Sequence, residues 1–224
     1  MTVLADPFIQ WSWIFGHGHE IWSSVLQHLV LTAIPVAAGL AISIPLGILA
    51  QRHRAIYPPL VWVTGLLYTI PSLALFVLLI PITGLSLTTV EIGLTSYTLL
   101  ILIRNVVIGL DGVPGDVKEA ATGMGLTERQ ILWRVEVPLA LPAIMAGIRV
   151  ATVSTVGLVT VGAIIGRGGL GQFILDGLQI LFNTEIFLGA ILSVVLAVVA
   201  DGVLLGAQRA LTPWVRAASA RVTA

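Results

Sequence analysis

The chain has 224 residues, 57% of them apolar and only 10% charged, with eleven Lys and Arg balancing eleven Asp and Glu. A soluble domain carries roughly 25% charged residues, so a single soluble core is excluded. So are a disordered chain, a collagen repeat and, with no cysteine, a disulfide scaffold. Zero net charge offers no global attraction to nucleic acid, and a polytopic membrane protein remains.

Segment 8–22 carries Trp11, Trp13 and Trp22, side chains that favour the membrane–water boundary. Residues 1–24 are therefore read as an amphipathic or interfacial segment on the outer face, with an irregular tail as the alternative. The N-terminus lacks a basic region and contains Asp6, so no cleavable signal peptide is expected. A bilayer core of about 30 Å needs roughly 20 apolar residues as helix. Residues 29–49 and 55–90 contain no charge at all. Together with the later apolar runs they predict five spans, at 25–50, 59–82, 90–110, 143–165 and 186–211. The expected fold is an all-α membrane protein with a five-helix core over 25–213 and a tail over 214–224. Pro35, Pro45, Pro71 and Pro81 lie inside or at the ends of spans, which suits a packed bundle whose neighbours satisfy the freed carbonyls.

Basic residues set the expected orientation. None precedes Arg52; Arg52 and Arg54 follow the first span, Lys118, Arg129 and Arg134 the third, and Arg209, Arg216 and Arg221 close the fifth. The loop after the second span has none, and Arg167 alone falls on the opposite side. This predicts the N-terminus outside and the C-terminus in the cytoplasm.

The longest polar stretch, 111–136, then lies on the cytoplasmic side. Pro114 suits a first helical position, and Asp116 and Glu119 place acids near a helix N-terminus. Gly125 is a helix-ending residue, and Thr127 with Gln130 makes a capping-box pattern for a second short helix. Pro138 and Pro142 are expected to stop that helix. The prediction is helix, glycine turn, helix.

Within this loop stand Glu119-Ala120-Ala121, then Gly125, then Val135-Glu136-Val137-Pro138. The spacing resembles the signature loop of the integral membrane subunits of ATP-driven importers, with Val135 and Val137 in place of the usual Ile and Leu. Tyr68-Thr69-Ile70-Pro71-Ser72, Arg104-Asn105, the run from Val137 to Pro142 and the glycines from Gly166 to Gly171 are similar to the permeases for quaternary-amine osmoprotectants such as glycine betaine, choline and carnitine. The likeness covers about 29–213.

That resemblance implies a multi-pass permease in the cytoplasmic membrane of a prokaryote, one half of a dimeric translocation path working by alternating access. Its implied partners are a pair of ATP-binding subunits, a second permease that is identical or paralogous, an external substrate-binding protein and membrane lipid. Glu119, Ala120, Ala121, Gly125 and Pro138 are the implied ATPase-coupling residues. No catalysis and no cofactor belong to this chain; ATP and Mg reside on the ATPase. A Walker A loop needs Gly-Lys-Ser/Thr, and the only lysine, Lys118, follows Val117. The chain, ending at Ala224, is expected to carry no fused binding domain. Two rival readings are a permease of the same superfamily for an amino acid, and an ATP-independent secondary transporter, for which no internal repeat is visible.

Other signals leave alternatives open. Gly166-Arg167-Gly168-Gly169-Leu170-Gly171 matches a dinucleotide fingerprint in form, but it follows an apolar run rather than a strand. It is a plain tight turn or a flexible turn facing a docking partner at the outer end of the fourth span. His17, His19 and Glu20 lack further ligands nearby and are read as interfacial rather than as a metal site, and His28 and His53 are uninformative. Arg104, Arg149 and Asp201 fall within spans, and Asp201 is expected to pair with one of the two arginines. Thr152 and Thr155 serve helix packing or line a path. Tyr68 and Tyr97 are structural or contact a cationic amine through their ring faces.

Overall fold

A computed structural model describes residues 8–166 and 168–214. Asp6, Arg167, Arg216, Arg221 and most of the tail lie outside the described residues. Among the described residues every regular element is helical: α1 (Trp11–Gly16), α2 (Gly18–Arg52), α3 (Tyr57–Thr69), α4 (Ser72–Thr83), α5 (Leu87–Asp111), α6 (Gly115–Gly123), α7 (Glu128–Ile131), α8 (Val137–Val159), α9 (Gly171–Ile180) and α10 (Asn183–Leu211).

Among the described residues four helical runs are long and apolar enough to cross a membrane: α2, α5, the 38-residue run Glu128–Ile165 that contains α8, and α10. The expected second span is not one straight helix. α3, with the 3₁₀ turn before it, and α4 meet at a bend of 96°, so the spans number four, or five if this broken pair counts as one. Pro71 sits at the break with φ −55° and ψ 133° and caps α4. It has no N–H to continue α3 and disfavours helical geometry at the residue before it. Both new ends find partners: the Thr69 hydroxyl donates to the Leu66 carbonyl at 2.8 Å, and the Pro71 carbonyl accepts from the Leu75 N–H at 2.9 Å.

Pro138 and Pro142 do not stop a helix as expected. α7 passes through a π-helical turn, Leu132–Glu136, straight into α8. The Val137 N–H donates five residues back to the Leu132 carbonyl, so the last donor needed comes just before Pro138. A further correction concerns the segment between the last two spans. The sequence reading had only a turn there, whereas α9 occupies it, preceded by a 3₁₀ turn at Thr160–Ile165.

The chain divides into two compact units, each made of three separate segments. One comprises Met1–Pro35, Ile70–Leu94 and Val153–Val199. Its core gathers Leu31, Phe76, Val90, Leu94 and Val159, all fully buried. Gly93 allows the Phe76 ring to lie against the α5 backbone, since an added Cβ would come within 2.6 Å of it. The other comprises Val36–Thr69, Thr95–Thr152 and Ala200–Ala224. Its core gathers Val106, Leu110, Leu132, Ala140 and Ile144, with Ile44 and Ile48 packed against them. Here Gly47 admits Val106 and Gly147 admits Asn105; an added Cβ would fall 2.5 Å from either neighbour. Lipid tails are as apolar as leucine, so such close approach and dispersion, rather than transfer from water, hold a membrane bundle together.

Candidate functional site

The polar loop between α5 and α8 lies wholly within the second unit and is built by local capping. Pro114 caps α6, and the Val117 N–H donates to Asp116 Oδ1 at 3.0 Å. α6 ends in a Schellman arrangement: the Gly125 N–H donates to the Thr122 carbonyl at 2.9 Å and the Leu126 N–H to the Ala121 carbonyl at 3.2 Å. Gly125 adopts φ +81°, the left-handed geometry that this cap requires. α7 then opens on a full capping box, with the Thr127 N–H donating to Gln130 Oε1 at 2.8 Å and the Gln130 N–H to Thr127 Oγ1 at 3.4 Å.

The signature residues divide by exposure. Glu119, Ala120 and Gly125 face outward, whereas Ala121 is buried. Pro138 lies half-buried in the first turn of α8. Met124, beside the glycine, is 73% exposed and supplies an apolar tip that the sequence reading passed over.

Ion pairs lie in and beside the loop. Arg54 donates to both carboxylate oxygens of Asp111 at 2.7 Å each, tying the chain ahead of α3 to the end of α5. Lys118 Nζ lies 2.6 Å from Glu136 Oε1, and the Glu136 side chain is only 11% exposed. Arg52 and Glu128 stand 3.9 Å apart and well exposed, a geometry that water and salt screen. An open cavity of about 490 Å³ lies beside Lys118 and Glu136, lined also by Gln51, Arg52 and His53. Among the described residues no three His, Cys, Asp or Glu side chains gather as metal ligands. The arrangement is an exposed helix pair, turned at a capped glycine and continued into a membrane-length helix.

The remaining predicted residues fall as follows. Arg149 donates through Nε and Nη2 to the two oxygens of Asp201, both at 2.8 Å, and through Nη1 to Gln208 at 3.4 Å. Gln208 in turn donates to the Pro142 carbonyl at 3.3 Å. Arg104 is exposed and has no ion pair among the described residues. Tyr68 and Tyr97 meet edge to face with ring centres 5.7 Å apart; Tyr97 is buried and Tyr68 is 41% exposed. Thr152 and Thr155 are buried, and the Thr152 hydroxyl donates to the Ile148 carbonyl of its own helix at 2.8 Å.

In the first unit the glycine-rich stretch is a tightly packed turn. Cβ atoms at Gly169 would approach the His28 backbone and Cβ within 3.0 Å, and Gly168 packs as closely on Ala163. The fully buried His28 accepts from the Leu170 N–H through Nδ1 at 3.3 Å. Its Nε2 therefore carries the proton and donates to the Val156 carbonyl at 3.0 Å. Sequence reasoning had no means to see this clasp, because the partners lie 128 and 142 residues away. Trp13 stacks on His17 and meets Phe173 and Phe182 edge-on, while Trp11 and Trp22 remain exposed.

The described residues form an all-helical protein with four or five runs long and apolar enough to cross a membrane and a polar helical loop that projects from them. The family of binding-protein-dependent transport system inner membrane components matches residues 43–217, and the chain belongs to that family. The osmoprotectant import permease protein OsmW of Salmonella typhimurium is 39% identical over 85% of this chain and 91% of its own length. The choline transport system permease protein OpuBB of Bacillus subtilis is 34% identical over 88% and 91%. The carnitine transport permease protein OpuCB of Listeria monocytogenes is 36% identical over 88% and 90%. Among solved structures, a chain of the MetNI methionine ABC transporter in an inward-facing form superposes with a TM-score of 0.77 at 25% identity, covering 88% of this chain and 98% of that one. A chain of an amino acid ABC transporter shares the fold, with a TM-score of 0.69 at 17% identity over 90% and 98%.

Proposed function

We propose that the chain is the permease subunit of an ATP-driven, binding-protein-dependent importer of quaternary-amine osmoprotectants. The observation that carries the mechanism is the exposed α6–Gly125–α7 turn, which runs without a break through the π-helical turn into α8. On this reading Glu119, Ala120, Met124 and Gly125 meet a cleft on a cytoplasmic ATPase, while Ala121 seats α6 on the permease body. Pro138 begins the helix that the loop drives. The substrate class is supported by relatives at 34–39% identity, whose names carry osmoprotectants, choline and carnitine.

The working unit pairs two permeases with two ATPases and an external binding protein, in the cytoplasmic membrane of a prokaryote. The N-terminus lies outside and the C-terminus inside, as the basic residues direct. α10 has 11% of its most apolar window buried within the chain, against 33–50% for the other three long helices, leaving a face for lipid or the second permease. Alternating access then follows when ATP and the loaded binding protein favour different states of the pair. Arg149 and Asp201 join α8 to α10, Thr152 and Thr155 serve packing, and the exposed Tyr68 ring is suited to weak contact with a passing cation.

A second reading, an amino-acid permease, is favoured by the methionine-transporter neighbour. ATP-dependent uptake of labelled glycine betaine, in vesicles holding the chain with its ATPase, partner permease and binding protein, separates the two. Competition by choline and carnitine, and none by methionine, is the expected outcome. Inhibition by methionine would discard the substrate and keep the class, and uptake without ATP would overturn both.

A further inference from the structure

α6 is anchored to its own unit by very little. Of its nine residues only Ala121 is buried, a side chain with a single methyl group to pack. The other firm attachment is Lys118, whose ammonium lies 2.6 Å from Glu136. Glu136 belongs to the π-helical turn and immediately precedes α8, so the pair crosses from the loop helix to the base of a membrane-length helix. Its setting differs from that of the neighbouring Arg52–Glu128 pair. The Lys118 and Glu136 side chains are 29% and 11% exposed, against 40% and 92% for the exposed pair, and the contact is shorter by more than 1 Å. Screening is weaker there, and loss of one partner strands a buried charge.

The intervening chain is the less direct route for a push. Between α6 and α7 it reverses at Gly125, around whose Cα no atom stands within 4 Å of an added Cβ. Beside the pair lies the open cavity of about 490 Å³, lined by both Lys118 and Glu136. A π-helical turn is also a place where helical register can change.

We infer that the Lys118–Glu136 ion pair is the strut through which displacement of α6 is delivered to α8. This rests on the reading that α6 docks on an ATPase. Lys118 is a positioning residue in this scheme: its charged end is engaged by Glu136 rather than by the partner chain.

The test uses the complete importer in proteoliposomes, comparing the native permease with K118M, E136Q and K118M/E136Q. Three quantities are read: ATPase retained on purification, ATP hydrolysed, and glycine betaine taken up per ATP. Each single variant is expected to retain the ATPase and to lower uptake per ATP roughly tenfold, within the coupling energies of contacting residues. The double variant is expected to lose no more than the worse single one, because both changes break one contact. Losses that multiply in the double variant, or an unchanged uptake per ATP in the singles, would overturn the strut. A native permease that fails to retain the ATPase would instead overturn the docking reading, and the strut with it.

Discussion

Gly125 shows how one residue's backbone can matter more than its size. It stands at φ +81° with open space where a Cβ would point, so a substitution there is costly through backbone conformation and not through a clash. A non-glycine residue in the left-handed region costs about 1–2 kcal/mol, except that Asn tolerates it. Gly125→Val is therefore expected to insert normally and to lose roughly 5–30-fold in ATP-dependent uptake, while Gly125→Asn keeps most of it. Equal uptake by the two variants, measured at matched permease levels in vesicles, would remove the conformational argument. This residue was legible in the sequence, as was the Thr127–Gln130 box, because caps join groups three to five residues apart. His28 was not: a lone histidine in an apolar run carries no mark of the two backbone groups it joins. Leu181, at φ 57° where a glycine would be expected, was equally invisible.

At the scale of elements, prolines were the main source of error. Pro35, Pro45, Pro81, Pro138 and Pro142 lie inside helices without ending them, whereas Pro71 separates α3 from α4 by a bend of 96°. A proline breaks a helix in lipid only where the freed groups find partners, and Thr69 and Leu75 supply them at this break. At Pro138 the π-helical turn removes the need for a break. Pairing between elements shows the same limit. Span topology put Asp201 at the depth of two arginines, and the bidentate geometry with Arg149, extended through Gln208 to the Pro142 carbonyl, arises from how α8 and α10 pack. We expect Asp201→Arg to lower the yield of folded permease in detergent and Arg149→Asp/Asp201→Arg to recover most of it, judged by monodisperse elution and thermal midpoint. A double variant no better than the single one would mean that the pair does not hold these helices together.

At the scale of the whole molecule, the absence of cysteine from the sequence makes orientation directly measurable. Met124→Cys, at the exposed loop tip, is expected to react with a membrane-impermeant maleimide only from the cytoplasmic side, and Leu85→Cys, between α4 and α5, only from outside. Labelling of both from one side would overturn the topology. The rough place of the long apolar helices was determined by sequence alone, because lipid forces every backbone group into a helix and leaves hydrophobic length as the readout. So was the helix–glycine–helix form of the polar loop, whose caps are local. Only the tertiary structure decided that the chain forms two discontinuous units, that a span breaks at Pro71, that α9 follows the glycine turn, and that Lys118 meets Glu136. The physical reason is range: hydrophobic length and capping are properties of a few turns of chain, whereas these features depend on which distant surfaces come into contact.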